Sequence, residues 1–240
     1  MKLNSDMQKL IHRILPPLVG IVLVLTFARL GFWQLDRAEE KIALQVAFDN
    51  PYYVQVADDL QPQPFQAIQS RGQYLNDNQI LIENAIVDHA LGYYVITPFE
   101  FNTGGPLLLV NRGWIARNLT RHELPAISVT ALTRLVRGKS GTLPRVGLRP
   151  GEAFIEHGDW PRVGVWPTVD EAALELGKEL LPYVLLLDAD QDAGYVRHWK
   201  PPNSGTATHY GYAFQWFAMA LALFWLMLWN FRKRAANNDD

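Results

Sequence analysis

Two long apolar segments, one near each end of the chain, constrain the fold more than anything between them. Ile14 to Phe32 reads ILPPLVGIVLVLTFARLGF, 19 residues broken by a single charge, Arg29. At ~1.5 Å per helical residue the run spans about 28 Å, enough for a hydrocarbon core of ~30 Å. Pro16 and Pro17 are expected in the first turn, where a missing N–H costs little. The segment lacks an A-x-A cleavage site, so it reads as an anchor rather than a signal peptide. The second segment, Tyr210 to Phe231, is YGYAFQWFAMALALFWLMLWNF, 22 residues without a charge. Tyr210, Tyr212, Trp216, Trp225 and Trp229 crowd its two ends, as aromatic rings do at a headgroup boundary, and Arg232, Lys233 and Arg234 follow at once.

Charge supplies an orientation. The N-terminal tail carries Lys2, Lys9 and Arg13, while residues 34–205 hold 15 Lys+Arg against 21 Asp+Glu, a balance of −6. Basic tails around an acidic loop put both termini in the cytoplasm. The expected layout is a tail (1–13), a first span (14–33), a periplasmic domain (34–208), a second span (209–231) and a short tail (232–240). The host would be a bacterial inner membrane, or a mitochondrial inner membrane with the domain in the intermembrane space.

The middle region shows no repeats. Leu35, Ala38, Ile42, Ala43 and Val46 keep helical spacing, so the first helix is expected to continue beyond the membrane. Asp58 to Pro64 is a proline- and glutamine-rich loop. Ala67–Leu75, Gln79–Asn84, Tyr93–Phe101 and Leu107–Trp114 are short strand-like runs separated by turn residues. The last two predict a hairpin whose loop uses Gly104 and Gly105 for positive φ. Ile127 to Gly138 alternates like another strand. Thr168-Val-Asp-Glu171 is a capping box opening a helix to about Glu179, and Tyr183 to Leu187 returns to strand. The expected fold is membrane α+β: two transmembrane helices flanking a mainly antiparallel β domain, a curled sheet or small barrel, with one or two helices.

Several chemistries are missing from the sequence. The chain has no cysteine, which removes disulfides, Cys-ligated zinc and thiol-based copper transfer. A net charge of −2 and a pI near 6.3 give no attraction to nucleic acid. G-x-S-x-G, H-E-x-x-H, Walker A and G-x-G-x-x-G are absent. The alternating acids Asp188, Asp190 and Asp192 lack the later glycine and glutamate of an EF-hand, and read as a solvated turn. Enzymatic activity is not expected.

Among the six histidines, His12 belongs to the tail and His89, His122, His157 and His198 stand alone in loops. His209 directly precedes the second apolar segment. The positive end of a helix favours a neutral imidazole, the form that ligates a metal. Helical spacing puts His209, Tyr212, Ala213 and Trp216 on one face, a surface suited to a flat macrocycle such as haem. An interfacial histidine bonding a headgroup or capping the helix fits the same residues, and both readings stay open. Gln215 lies inside the second span and is expected to face the first. Arg29 either meets a haem propionate or snorkels to the interface. Ala218 and Ala222 form a small-xxx-small pair.

Three segments together resemble the Surfeit-one family, the cytochrome c oxidase assembly factors. They are Gly31-Phe-Trp-Gln-Leu-Asp-Arg37 with Lys41, Gly92-Tyr93-Tyr-Val-Ile-Thr-Pro98 leading to Leu109-Val-Asn111-Arg112-Gly113-Trp114, and His209-Tyr-Gly-Tyr-Ala-Phe-Gln-Trp216. The resemblance implies haem a as cofactor, inserted into the large oxidase subunit after supply by haem a synthase, with His209 as ligand to the haem iron. Trp33, Gln34, Tyr212, Gln215, Trp216 and Arg29 would shape the site. Asn111 to Trp114 are expected to serve structure, at a strand end packed near the membrane. A haem-free scaffold that stabilises an oxidase intermediate is the alternative. A membrane-anchored enzyme lacks a catalytic constellation.

Overall fold

The computed structural model describes residues 5–57, 59–118, 123–130, 132–145, 149, 151–154, 159–201 and 205–236, with side chains from 14 to 234. Lys2, Asp58, His122 and His157 lie outside the described residues, as do the side chains of Lys9, His12 and Arg13. The chain divides into two compact units, Met1–Ala43 with Pro202–Asp240, and Leu44–Pro201.

The first unit is a pair of long helices. Helix α1 runs Ser5–Asp49, through the expected extension, and α3 runs Thr206–Ala236. Both are long and apolar enough to cross a membrane. Pro16 and Pro17 fall inside α1 rather than in its first turn, because the helix begins at Ser5. Each proline leaves a carbonyl one turn upstream without its helical donor.

The second unit is a small barrel with a helix. Its elements are β1 (Val54–Gln55), β2 (Ala67–Tyr74), β3 (Ile80–Val87), β4 (Ala90–Phe101), β5 (Leu107–Ala116), β6 (Arg134–Gly141), β7 (Arg162–Gly164), α2 (Val169–Leu176) and β8 (Leu180–Leu187). The sheet order is β1-β2-β6-β8-β5-β4-β3-β7, and β2 also pairs with β4. That extra pairing closes β2, β6, β8, β5 and β4 into a five-stranded barrel. Most pairs are antiparallel; β1/β2, β3/β7 and β5/β8 are parallel.

Closure depends on β4 changing partners along one edge. Its first part pairs with β3 as far as Ile96↔Ile80, and its last part with β2 from Phe99↔Tyr74. Pro98 sits in the gap, where its carbonyl accepts from the Leu75 N–H at 2.9 Å. A residue's N–H and C=O point to the same side of a strand, so the N–H that proline lacks would face the gap at Leu75, and the β4/β5 ladder on the other edge loses no bond.

The core lies on both faces of the barrel wall. Leu108, Val110, Leu181, Tyr183, Leu185 and Leu187 pack with Ile68, Tyr74, Phe99 and Phe101 on one side. Leu109 and Val184 pack with Ile80, Ile82, Ile96 and Ala172 on the other, under α2. Burial on both faces explains why β5 and β8 read as nearly continuous apolar runs. Helix α2 carries the expected capping box at Thr168 and Glu171 and ends at Gly177 in the left-handed region.

The strand expected over Ile127–Gly138 begins only at Arg134. Upstream, the backbone groups that a ladder would use are bound by side chains. The Ile127 carbonyl accepts from Arg112 and Gln79, and the Val129 N–H donates to Asn76 Oδ1 at 2.8 Å. A segment satisfied in this way gains nothing from strand pairing.

Candidate functional site

In the helix pair, α1 and α3 run antiparallel and meet along a seam of small and aromatic residues. Gly20, Gly31, Gln34 and Ala38 are buried on α1, and Ala213 and Ala220 on α3. A Cβ on Gly31 would lie 2.6 Å from the Phe217 ring, and one on Gly20 would lie 2.5 Å from Met227 Sδ. At Gly31 the rigid ring makes glycine a condition of this close approach, whereas at Gly20 the flexible end of Met227 could move aside. Phe27 packs on Trp216 with ring centroids 5.7 Å apart, and Phe32 meets Phe217 edge to face at 5.2 Å.

Among the described residues, one polar side-chain contact crosses this seam. His209 Nδ1 lies 2.8 Å from Gln34 Oε1. Gln34 is 9% exposed, and His209 is half-buried in the first turn of α3. Since the facing atom is an amide oxygen, Nδ1–H donates, and in the neutral ring this tautomer places the lone pair on the second nitrogen, Nε2. The arrangement fixes both the tautomer and the ring plane, as the partners of metal-ligating histidines do.

The residues expected at the site divide into two groups. Gln34, His209, Trp216 and Gly31 come together in the seam. Trp33 and Tyr212 are 45% and 49% exposed on its flanks, where Arg37 lies 5.8 Å above the Trp33 ring and pairs with Glu40. Arg29 and Gln215 are exposed. For Gln215 this corrects the expectation that it faces α1. The α3 residues in the seam follow the spacing 209, 213, 216, 220, which leaves 215 on another face. Ala218 and Ala222 are exposed for the same reason. Phe27 and Phe217 escaped the sequence argument, although Phe27 is four residues before Gly31 and so falls on the same helical stripe.

The second unit has its own polar centre at the remaining motif residues. Arg112, 2% exposed, donates through Nη1 to Gln79 Oε1 (2.9 Å) and the Ile127 carbonyl (2.9 Å), and through Nε to the Ala193 carbonyl (2.6 Å). Tyr74 and Tyr195 present ring faces to the guanidinium at 5.7 and 5.1 Å. Burial pulls the Arg112 pKa down from its ordinary value, partly offset by the two tyrosines. Gly113, at φ +107°, accommodates a bulge between β5 and β4, and its N–H donates to Asn111 Oδ1 at 3.0 Å. Trp114 Nε1 donates to the Ala85 carbonyl at 3.0 Å, and its ring covers Gly92, where a Cβ would lie 2.5 Å away. Tyr93 is buried beside Leu81 and Val95. These residues are tied into the barrel wall by the contacts just given. Among the described residues no group of three or more His, Asp or Glu side chains could hold a metal ion.

Comparison with known proteins agrees with the motifs. The SURF1 family profile matches residues 21–221. A SURF1-like protein of Rickettsia bellii is 27% identical over 243 residues, covering 91% of this chain and 89% of its own. A SURF1-like protein of the eukaryote Monosiga brevicollis is 24% identical, covering 90% and 86%. An uncharacterised SURF1-like protein of Mycobacterium tuberculosis is 26% identical over 209 residues, covering 82% and 74%. The profile takes in the whole barrel and the parts of both helices next to it, with Gly31, Gln34, His209 and Trp216, and the chain belongs to the SURF1 family, a family of assembly factors linked to cytochrome oxidase.

Proposed function

We propose that this chain carries haem a during assembly of cytochrome oxidase, receiving it from haem a synthase and delivering it to the large oxidase subunit. The observation behind this reading is the bond from His209 Nδ1 to Gln34 Oε1. It leaves Nε2 as the ligating nitrogen at a half-buried position, with the aromatic surface of Trp216 and Phe27 in the same seam. Haem iron takes a neutral imidazole, and the macrocycle takes flat apolar walls. Trp33 and Tyr212 would flank it. Arg29 would reach a propionate only from outside the seam. A single histidine on an open seam suits cargo that must be released.

The same reading has the helix pair in a bacterial inner membrane, with both termini cytoplasmic and the barrel periplasmic. Large apolar side chains such as Leu25, Phe224, Trp225 and Phe231 are 49–74% exposed along both helices. A bilayer covers such surfaces, and the basic tails agree with the orientation.

The test is purification after co-expression with haem a synthase. A haem spectrum carried by the wild type and lost in His209→Ala supports the assignment. An unchanged spectrum in His209→Ala overturns the ligand. Co-purification with the large oxidase subunit, without haem under any expression condition, would establish the scaffold instead.

A further inference from the structure

A recess of about 290 Å³ opens at one end of the barrel wall, where β2, β6 and β8 meet the turn after β8. Its lining includes Tyr74, Arg134, Arg137, Asp190, Gln191 and Asp192. Space of ~10–15 Å³ suffices for one water, so this recess has room for a larger group. Tyr74 is 1% exposed and its hydroxyl has no hydrogen-bond partner among the described residues. The same is true of the buried Nε atoms of Arg134 and Arg137. All three are donors, and a buried donor without an acceptor costs ~1–3 kcal/mol.

The recess carries two arginines and two aspartates; Arg137 Nη2 pairs with Asp190 at 3.3 Å, and Arg134 has no ion-pair partner among the described carboxylates. Arg134 lies 5.4 Å from the Tyr74 ring and Arg112 lies 5.7 Å from it. Neither forms an ion pair with a described carboxylate, and nor does Arg197. Arg197 is committed to the turn itself, donating to the carbonyls of Asp188, Ala189 and Gln191 and so fixing the side of the recess that carries Asp190 and Asp192. Burial pushes the Tyr74 phenol up to about 12, so it remains a donor at any physiological pH.

We infer that this recess is a binding site for a carboxylate, held by the Tyr74 hydroxyl and the free Nε–H groups of Arg134 and Arg137. A carboxylate only accepts hydrogen bonds and can take several at once. Asp190 and Asp192 at the edge oppose a dianion more than a monoanion, which disfavours phosphate. The site is independent of the haem reading and uses none of its residues.

The experiment uses the full chain in detergent, labelled with [ζ-¹³C]tyrosine and titrated at constant ionic strength. Three probes are compared: acetate, inorganic phosphate, and a blocked tripeptide whose sole carboxylate is a glutamate side chain. The expected result is a saturable shift of one tyrosine signal with acetate, missing in Tyr74→Phe. Affinity should fall about tenfold in Arg134→Gln, the loss of one charge-assisted hydrogen bond. If Tyr74→Phe fails to fold, Arg134→Gln, at a position that is only partly buried, carries the comparison. Tighter binding of the peptide assigns an acidic side chain of a partner protein; equal binding assigns a free small carboxylate. No saturable shift with acetate, a preference for phosphate, or unchanged affinity in Arg134→Gln would overturn the site.

Discussion

Gln34 and His209, 175 positions apart in sequence, meet at 2.8 Å across the helix pair. The contact gives the histidine a fixed tautomer, and Gln34 can be tested separately from the ligand. Gln34→Leu should leave a ring free to rotate and to protonate either nitrogen. Haem recovered after co-expression should fall about 10- to 100-fold, the usual effect of losing such a partner. Gln34→Glu keeps an acceptor, makes the imidazole a stronger donor to iron, and should lower the reduction potential of the bound haem. The potential is the discriminating measurement, since a residue that merely packs the helices would not move it.

Gly31 tests the seam without touching its polar contact. A side chain there meets the Phe217 ring within 2.6 Å, so Gly31→Leu must separate the helices or rotate one of them. The expected outcome is loss of the Gln34–His209 pairing, read as a cysteine cross-link between engineered positions 27 and 216 that forms in the parent and not in the variant. Barrel folding should survive, because Gly31 belongs to the other unit.

Much of this architecture could be read from the residues, and the exceptions have physical causes. Apolar length marked both long helices, one run broken only by Arg29 and the other uncharged, and the capping box at Thr168 and Glu171 marked α2. Strands β3 and β4 run further than expected because their turn is Asp88-His89, two non-glycine residues at φ +48° and +64°. Such a turn lacks the Asn-Gly or Asp-Gly signal that usually announces a hairpin. The strand expected from Ile127 starts late, at Arg134, because alternation says nothing about whether backbone groups are already bound. At the site, motif spacing identified His209, Trp216 and Gln34, but not their pairing. The side of a helix that faces its neighbour depends on register between distant segments, and Gln215 was misjudged for that reason. The recess beside Tyr74 had no signal at all, since its donors come from β2 and β6 and its edge from the turn after β8.

Arg112 and its neighbours make a prediction about the barrel. Four acceptors and two aromatic faces converge on one planar guanidinium, an arrangement that lysine cannot reproduce. Arg112→Lys should cost roughly 2–3 kcal/mol through unsatisfied buried acceptors. Chemical denaturation monitored by tryptophan fluorescence would register it as a lower midpoint at unchanged slope. Thr97→Val removes one hydroxyl that donates to Gln79 Oε1 at 2.7 Å and should cost about 1 kcal/mol. Because both side chains share Gln79, the double variant should lose less than the sum.

Acid sensitivity should trace to Glu171. Its carboxylate is paired with Arg149, and it also accepts from the Thr168 N–H at 2.8 Å. The hydrogen bond to Arg149 is the largest influence and, with the contacts to Thr168, holds the Glu171 pKa near 2 against an ordinary 4.5. A depressed pKa means that the folded state holds the proton more weakly than the unfolded state does. The stabilisation is therefore complete above pH 4.5, declines as pH falls, and is gone below about 2. In Arg149→Met the pKa returns toward its ordinary value, and the stability lost between pH 4.5 and 2 should shrink. Glu171→Gln should remove this part of the pH dependence altogether while keeping most of the cap, because an amide oxygen can still accept from Thr168. Thermal unfolding of the three proteins at pH 6 and pH 3 gives the comparison. The wild-type advantage over Glu171→Gln must be larger at pH 6; an advantage equal at both values would show that the ion pair contributes nothing to this helix.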